Sequence, residues 1–125
     1  MNKTESLKTE VKKLLKTQTD RVSYGTGPKK KIYPYVVFEL SELGFSDGKT
    51  TYQLEVNAVD SGDDTQPIDD LSDNIQKKLH KECFINEDIQ FTAYRGARQP
   101  VTEDNPDIIR RRMLFEIHLH ELKGE

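Results

Sequence analysis

Residues Tyr33–Leu40 read YPYVVFEL, a run of aromatic and β-branched side chains that favours a β-strand. Pro34 has no N–H to donate to a ladder, so it should mark the first residue of that strand or lie on a sheet edge. After a short segment with two glycines, Gly44–Lys49, the residues Tyr52–Val59 alternate between apolar and polar side chains. Such alternation is typical of an antiparallel strand with one solvated face. The two runs and the turn between them therefore predict a β-hairpin.

Helices and a second pair of strands account for most of the remaining chain. A short helix is predicted at Ser6–Lys16, and an amphipathic helix at Pro67–Glu82 has one apolar stripe, Ile68, Leu71, Ile75 and Leu79. Two further strands, Ile89–Tyr94 and Arg110–Leu122, are separated by a long polar connection, Gly96–Pro106. The order hairpin, helix, hairpin predicts an α/β (α+β) fold: an antiparallel sheet of about four strands packed against two helices.

Composition limits the class of protein. With 125 residues, the chain is expected to form a single domain, residues 1–125, with disordered ends at 1–5 and 123–125. Its net charge of -3 lacks the basic excess typical of general nucleic-acid binders. The single cysteine, Cys83, excludes an internal disulfide and fits an intracellular protein, and its apolar neighbours predict a buried, inert thiol. Neither a signal peptide nor an apolar run of membrane-spanning length is evident, so we expect a soluble chain.

Charge is unevenly distributed along the chain. Lysines cluster at Lys29, Lys30 and Lys31, and arginines cluster around the last connection, at Arg95, Arg98, Arg110, Arg111 and Arg112. The segment Asp60–Asp73 is acidic and includes Asp63 and Asp64. Such segregation suits docking between proteins, although a solvated surface is the simpler interpretation. The charged residues are therefore the candidate protein-interface residues.

Catalytic and ligand-binding patterns are weak. The segment Gly44–Thr51 approaches a phosphate-binding loop, but three residues instead of four separate its glycines and a strand instead of a helix follows. His118 and His120 share one face of a strand and could bind a metal if Glu116 or His80 converged on them. The acidic segment lacks the order of an EF-hand. We therefore predict no catalytic residues, no metal site and no cofactor, and the chain is not expected to be an enzyme.

The order of elements resembles that of phage tail terminator proteins, also called tail-completion or head-tail joining proteins. The resemblance rests on the short first helix, the aromatic-Pro-Tyr-Val run at Tyr33–Phe38, the alternating strand Tyr52–Asp60, the stripe of the second helix, and a last strand introduced by Asp107 and an arginine cluster. It covers roughly Leu7–Glu121. The pattern looks most like members from phages and defective prophages of Gram-positive bacteria.

The resemblance implies a structural virion protein that assembles as a hexameric ring. Such a ring caps the finished tail tube, stops its polymerisation and joins the tail to the head-side connector protein, while DNA only passes through the lumen. The implied partners are other copies of the chain, the tail tube protein and the connector, with assembly in the cytoplasm of the bacterial host. Three loops are the candidate docking elements: Gly44–Lys49, Gly96–Pro106 and Gln18–Lys31.

A contact between neighbouring subunits follows from the charge pattern. Lys29–Lys31 or Arg110–Arg112 of one subunit is expected to meet the acidic Asp60–Asp70 segment of the next. Three alternatives remain open: another head-tail connector component, a protein-binding module that forms no ring, and a small metal- or phosphate-dependent enzyme that uses His118, His120 and the nearby arginines.

Overall fold

The computed structural model describes residues 2–122, which form two helices and six strands. In chain order the elements are α1 (Lys3–Lys16), β1 (Val22–Tyr24), β2 (Tyr35–Ser46), β3 (Lys49–Ser61), α2 (Gln66–Leu79), β4 (Cys83–Ile85), β5 (Ile89–Val101) and β6 (Ile108–Glu121). All six strands belong to one sheet in the order β1-β2-β3-β6-β5-β4. The long strands β2, β3, β6 and β5 therefore form the centre, and the three-residue strands β1 and β4 lie at opposite edges.

Both helices cover the same face of the sheet. The core contains alternate residues of the central strands, including Val56 of β3 and Phe115 of β6, together with Leu7 and Val11 of α1 and Ile75 of α2. The apolar stripe predicted for α2 is confirmed, because Ile68, Ile75 and Leu79 are buried and Leu71 packs against them. The opposite face, called here the open face, contains the other set of alternate residues and has no helix over it among residues 2–122.

The prediction of about four antiparallel strands packed against two helices in the order hairpin, helix, hairpin is wrong. The protein is mostly β, with a six-stranded mixed sheet curved into a half-barrel. β1 pairs in parallel with β2, where Val22 is opposite Val36, and β4 pairs antiparallel with β5, where Phe84 is opposite Phe91. A strand of three residues shows little alternation in sequence: Val22 and Tyr24 indicate only a brief extended piece, and no pattern marks Cys83–Ile85 as a strand.

Several boundaries also differ from the predicted ones. α1 begins at Lys3 because the side chain of Asn2 caps it, accepting a hydrogen bond of 2.8 Å from the Glu5 backbone N–H. α2 ends at Leu79 because His80 has extended backbone dihedral angles. Residues 123–125, predicted to be a disordered end, lie outside the described residues. Cys83 is exposed on β4, so the prediction of a buried thiol is wrong.

Two predicted loops are largely strand. The turn expected over Gly44–Lys49 consists only of Asp47 and Gly48, since Ser46 already pairs with Lys49. Both turn residues have positive φ, 54° and 77°, which a two-residue hairpin turn of the type favoured by Asp-Gly requires. The connection expected over Gly96–Pro106 is shorter than predicted, because Gly96–Val101 form the second half of β5 and only residues 102–107 link it to β6. Pro100 is tolerated there because that part of β5 is a sheet edge.

Candidate functional site

The two edges of the sheet each leave half of a long strand uncovered. β1 pairs with β2 only as far as Phe38, so the outer side of Ser41–Ser46 has no backbone partner within residues 2–122. β4 pairs with β5 only at Gln90–Thr92, and the outer side of Gly96–Val101 is likewise unpaired in the described chain. These two stretches are called here the β2 free edge and the β5 free edge. Unpaired strand edges are the parts of a sheet most disposed to pair with another chain.

Apolar side chains project from the β2 free edge. Leu43 is 59% exposed and Phe45 is 66% exposed, among the largest values for large apolar residues in the described chain. Leu43 sits in a β-bulge, since β2 has one more residue than β3 between Glu42 and Gly44. The turn predicted from the sequence, Gly44–Lys49, includes Phe45 but not Leu43, and neither side chain was predicted as an interface residue. The sequence does contain a signal for this apolar surface. Leu43-Gly44-Phe45 interrupts the alternation of apolar and polar residues in β2 and places two apolar side chains near the hairpin turn.

A matching bulge lies in the β5 free edge. β5 has one more residue than β6 between Arg95 and Arg98, and Gly96 lies within this bulge. A Cβ atom on Gly96 would lie 3.1 Å from the backbone oxygen of Leu114, so the close approach of the two strands favours glycine. A pocket of about 390 Å³ opens beside it on the open face. Its lining includes Leu43, Tyr94, Gly96, Leu114 and Glu116.

The arginines predicted as interface residues are largely paired within the subunit. Arg111 donates from Nε to Asp69 Oδ1 at 2.9 Å, and Arg98 donates from Nη1 to Asp73 Oδ1 at 2.6 Å. Arg110 is bound to Glu103, and the Arg112 Nε atom lies 3.5 Å from Glu55 Oε1. Arg95 donates to Gln76 Oε1 at 3.1 Å. The structure therefore shows a role for each of these arginines within its own chain.

Two of these ion pairs fasten α2 to the sheet. Arg111 belongs to β6 and Arg98 to the second half of β5, while both of their carboxylate partners belong to α2. The Arg98 side chain, by its hydrogen bond and its positive charge, holds the pKa of Asp73 below its usual value. An arginine with this structural role is a poor target for testing a subunit contact, because its loss would disturb the subunit itself.

The predicted lysines are more available than the arginines. Lys29 and Lys30 are exposed in the loop between β1 and β2 and have no ion pair among the described residues. Lys31 points back toward the open face, with its Nζ atom 3.5 Å from the Tyr35 hydroxyl. A second pocket, of about 340 Å³, lies under this loop and is lined in part by Gly27, Lys31, Tyr35, Glu39 and Glu55.

The acidic residues predicted to face the lysines lie just before α2. Asp63 and Asp64 are exposed, and Asp64 Oδ1 accepts a hydrogen bond of 3.0 Å from the Gln66 backbone N–H. Neither forms an ion pair in the described chain. Lys29, Lys30, Asp63 and Asp64 thus retain the free charges that the predicted subunit contact requires.

The histidines do not converge. His118 and His120 share the open face of β6, and His118 Nε2 lies 2.6 Å from Glu116 Oε2. His80 lies at the far edge of β5, where its Nδ1 accepts a hydrogen bond from the Arg95 backbone N–H. Within residues 2–122 no three His, Cys, Asp or Glu side chains come together as metal ligands would. The described histidines therefore give no support to the metal-dependent alternative.

Comparisons with known proteins inform only the fold. Neither a family model nor a curated protein matches the sequence. Among solved structures, the protein resembles a chain described as the virion of a native gene transfer agent (GTA) particle, with a TM-score of 0.66. The match covers 85% of this chain and 84% of the other at 9% sequence identity, so it shows a common fold.

No helix of residues 2–122 has both the length and the apolar character needed to cross a membrane.

Proposed function

We propose that this protein is a structural component of a phage, prophage or phage-like virion that caps the tail tube as a ring, ends tail polymerisation and joins the tail to the head connector. The single observation that carries the proposal is the shared fold with a chain of a gene transfer agent virion over 85% of the sequence. The sequence segments that resemble tail terminator proteins, among them the aromatic-Pro-Tyr-Val run at Tyr33–Phe38 and the apolar stripe of α2, add to it. The proposal assigns the protein no catalytic role and no cofactor.

The surface of the protein suits a ring subunit. A ring requires heterologous contacts, in which two different patches of each subunit meet around a closed circle. The two free edges lie on opposite sides of the sheet, and the free charges lie in separate loops, at Lys29–Lys30 and Asp63–Asp64. Rigid central strands fix the geometry, while the projecting hairpin and loops are accessible to the tube protein and the connector.

The first test combines electron microscopy with loss of the gene. Negative-stain images of the purified protein, taken over a wide concentration range and with tail tubes added, should show six-fold rings with a central hole or caps on tube ends. Particles produced without the protein should contain overlong tubes and unjoined heads. Joined tails of normal length in its absence would contradict the proposal, and normal tubes without attached heads would favour another connector component.

The charged subunit contact has its own test. Reversing Lys29 and Lys30 to Glu should weaken assembly at low salt, because it places like charges opposite Asp63 and Asp64 of the neighbour. Restoring assembly by also changing Asp63 and Asp64 to Lys would identify the pair. The matched control is Lys12→Glu with Lys16→Glu on α1, two exposed lysines without an ion pair in the described chain, which changes the net charge equally outside the predicted contact.

A further inference from the structure

The backbone of the β2 free edge has a defined set of outward groups. On the outer side of β2, the Val36 N–H donates to the Arg21 carbonyl and the Leu40 N–H donates to the Tyr24 hydroxyl at 3.2 Å. Outward groups occur at alternate residues of an antiparallel strand, so the next outward N–H and C=O belong to Glu42. Glu42 is the first outward residue beyond the reach of β1 and of Tyr24.

The β5 free edge presents the corresponding groups. The Arg95 N–H points outward, where it donates to His80 Nδ1 at 3.0 Å. Arg95 and Arg98 face Phe115 and Met113, which are two residues apart on β6 and therefore have the same hydrogen-bonding orientation. The outward N–H and C=O of Arg98 are thus the first beyond the reach of His80. Pro100, two residues further, has no N–H to offer.

We propose that the two free edges pair with each other between adjacent copies, with Ser41–Gly44 of one copy antiparallel to Gly96–Gln99 of the next and Glu42 opposite Arg98. The proposal rests on the proposed ring and specifies its subunit contact. In this register the bulge between Glu42 and Gly44 faces the bulge between Arg95 and Arg98, and each strand has one extra residue at that point. Two facing bulges preserve the pairing that a single bulge would interrupt.

At both ends of the proposed pairing, a backbone N–H group is either absent or already hydrogen-bonded within its own chain. At one end, Leu40, whose N–H already has the Tyr24 hydroxyl, is opposite Pro100, which lacks an N–H. At the other end, Phe45 is opposite Arg95, whose N–H is bound to His80. The pairing is therefore confined to the residues that are unpaired on both strands.

The short edge strands leave room for this arrangement. β1 covers Val36–Phe38, which in the proposed register lie beyond Val101, where the β5 strand of the neighbour has ended. β4 covers Gln90–Thr92, which lie beyond the hairpin turn of the neighbour at Asp47. The short edge strands of one copy therefore do not overlap the paired residues of the next. The contact joins two different surfaces, the β2 free edge and the β5 free edge, as a ring requires.

Charges on the two edges are complementary. Glu42 lies on the β2 free edge, with Glu39 and Asp47 beyond its two ends. Arg98 lies on the β5 free edge and Arg95 just before it, and Arg98 also binds Asp73 of its own chain. Within its own chain Glu42 lies 3.6 Å from Lys3, and its side chain is 49% exposed, so it can approach a second cation. Complementary charges steer such an encounter and disfavour the alternative in which like edges pair.

Disulfide trapping tests the register. In a Cys83→Ser background, Ser41→Cys and Gln99→Cys are made in separate chains, mixed, oxidised and run on a non-reducing gel. These two exposed positions are opposite each other in the proposed register as a non-hydrogen-bonded pair, for which Cα atoms about 4.5 Å apart suit a disulfide. We expect a cross-linked dimer in the mixture, and a ladder up to the closed ring when one chain has both cysteines.

Two matched pairs act as controls. Glu39→Cys mixed with Gln99→Cys shifts the register by two residues, about 7 Å along the strand, and should form far less dimer. Lys29→Cys mixed with Asp63→Cys reports the charged contact. Rings that cross-link through the second pair but not through Ser41 and Gln99 would overturn the edge pairing and leave the ring intact. Cross-linking in neither pair, with no rings at any concentration and no caps on added tail tubes, would overturn both proposals.

Discussion

β2 has two halves with opposite surroundings. Tyr35–Phe38 are buried, with Val36 and Phe38 under the helices and Tyr35 and Val37 in a small cluster with Val59 on the open face. Ser41–Ser46 are all exposed, and their outer edge is unpaired within the described chain. β5 divides in the same way after Ala93. The first half of each strand forms the core, whereas the second half leaves its outer backbone edge open to other chains, although Arg98 also ties that half of β5 to α2.

Truncation of one phenylalanine in each half of β2 should separate these roles. Phe38 is 1% exposed and packs edge-on against Tyr24, with ring centroids 5.1 Å apart. Phe38→Ala should lower the free energy of unfolding by about 3–5 kcal/mol, because it leaves a cavity in the core. Phe45→Ala should change it by no more than about 0.5 kcal/mol. Urea unfolding followed by circular dichroism measures both. Similar losses for the two variants would contradict the division of β2 into a core half and an exposed half.

The ion pairs of the arginines give a second, smaller contrast. Arg111, in the fully paired β6, is 17% exposed at its side chain and binds Asp69 of α2. Arg111→Met should cost about 1–2 kcal/mol, since it removes a charged hydrogen bond and leaves a carboxylate without its partner. Lys30→Met, in the exposed loop, should be close to neutral. An equally neutral Arg111→Met would mean that the Arg111–Asp69 pair contributes little, and that α2 is held by its apolar stripe and by the Arg98–Asp73 pair.

The two bulges each contain a glycine, and the glycines differ in how closely other atoms approach them. Gly96→Ala should destabilise the subunit by about 1 kcal/mol, because the new methyl group meets the Leu114 carbonyl oxygen at 3.1 Å. Gly44 has no positive φ and nothing within 4 Å of its added Cβ, so Gly44→Ala should stabilise the subunit by about 0.4–1 kcal/mol by restricting the unfolded chain. Thermal melts of both variants are sufficient. Effects of the same sign would contradict this assignment of local packing.

The sequence predicted the centre of the molecule better than its edges. The alternation of Met113, Phe115, Ile117 and Leu119 is confirmed as the buried face of β6, because a long strand under a helical layer has a strict period of two. Val22 and Tyr24 indicated only a brief extended piece and β4 was not predicted, since the places of both edge strands depend on pairing with distant residues. The second half of β5 was missed because Gly96 and Pro100 signal a loop, although an edge strand with a bulge accommodates both.

The candidate site depended even more on tertiary structure. Clusters of charge were visible in the sequence, but it did not show that Arg98, Arg110 and Arg111 are bound to acidic residues of their own chain. The free edges could not be predicted either, because a strand edge is free only when no other strand of the sheet pairs with it. The sequence identified charged residues that could contact another chain. Only the three-dimensional structure showed which of them are already paired and which strand edges have no neighbour.

The smallest expected effect concerns the tie between the second half of β5 and α2. Because Arg98 lowers the pKa of Asp73 in the folded protein, this carboxylate stabilises the fold above its unfolded pKa of about 3.9, and the contribution is lost as pH falls through the lower folded value. Asp73→Asn should therefore reduce stability slightly at pH 7 and have no such effect near pH 2. Asp63→Asn, at an exposed carboxylate without an ion pair, is the control. A loss for Asp73→Asn that persists unchanged at pH 2 would show that Arg98 does not act on the ionised carboxylate, and that this half of β5 is held to α2 by Gln76 instead.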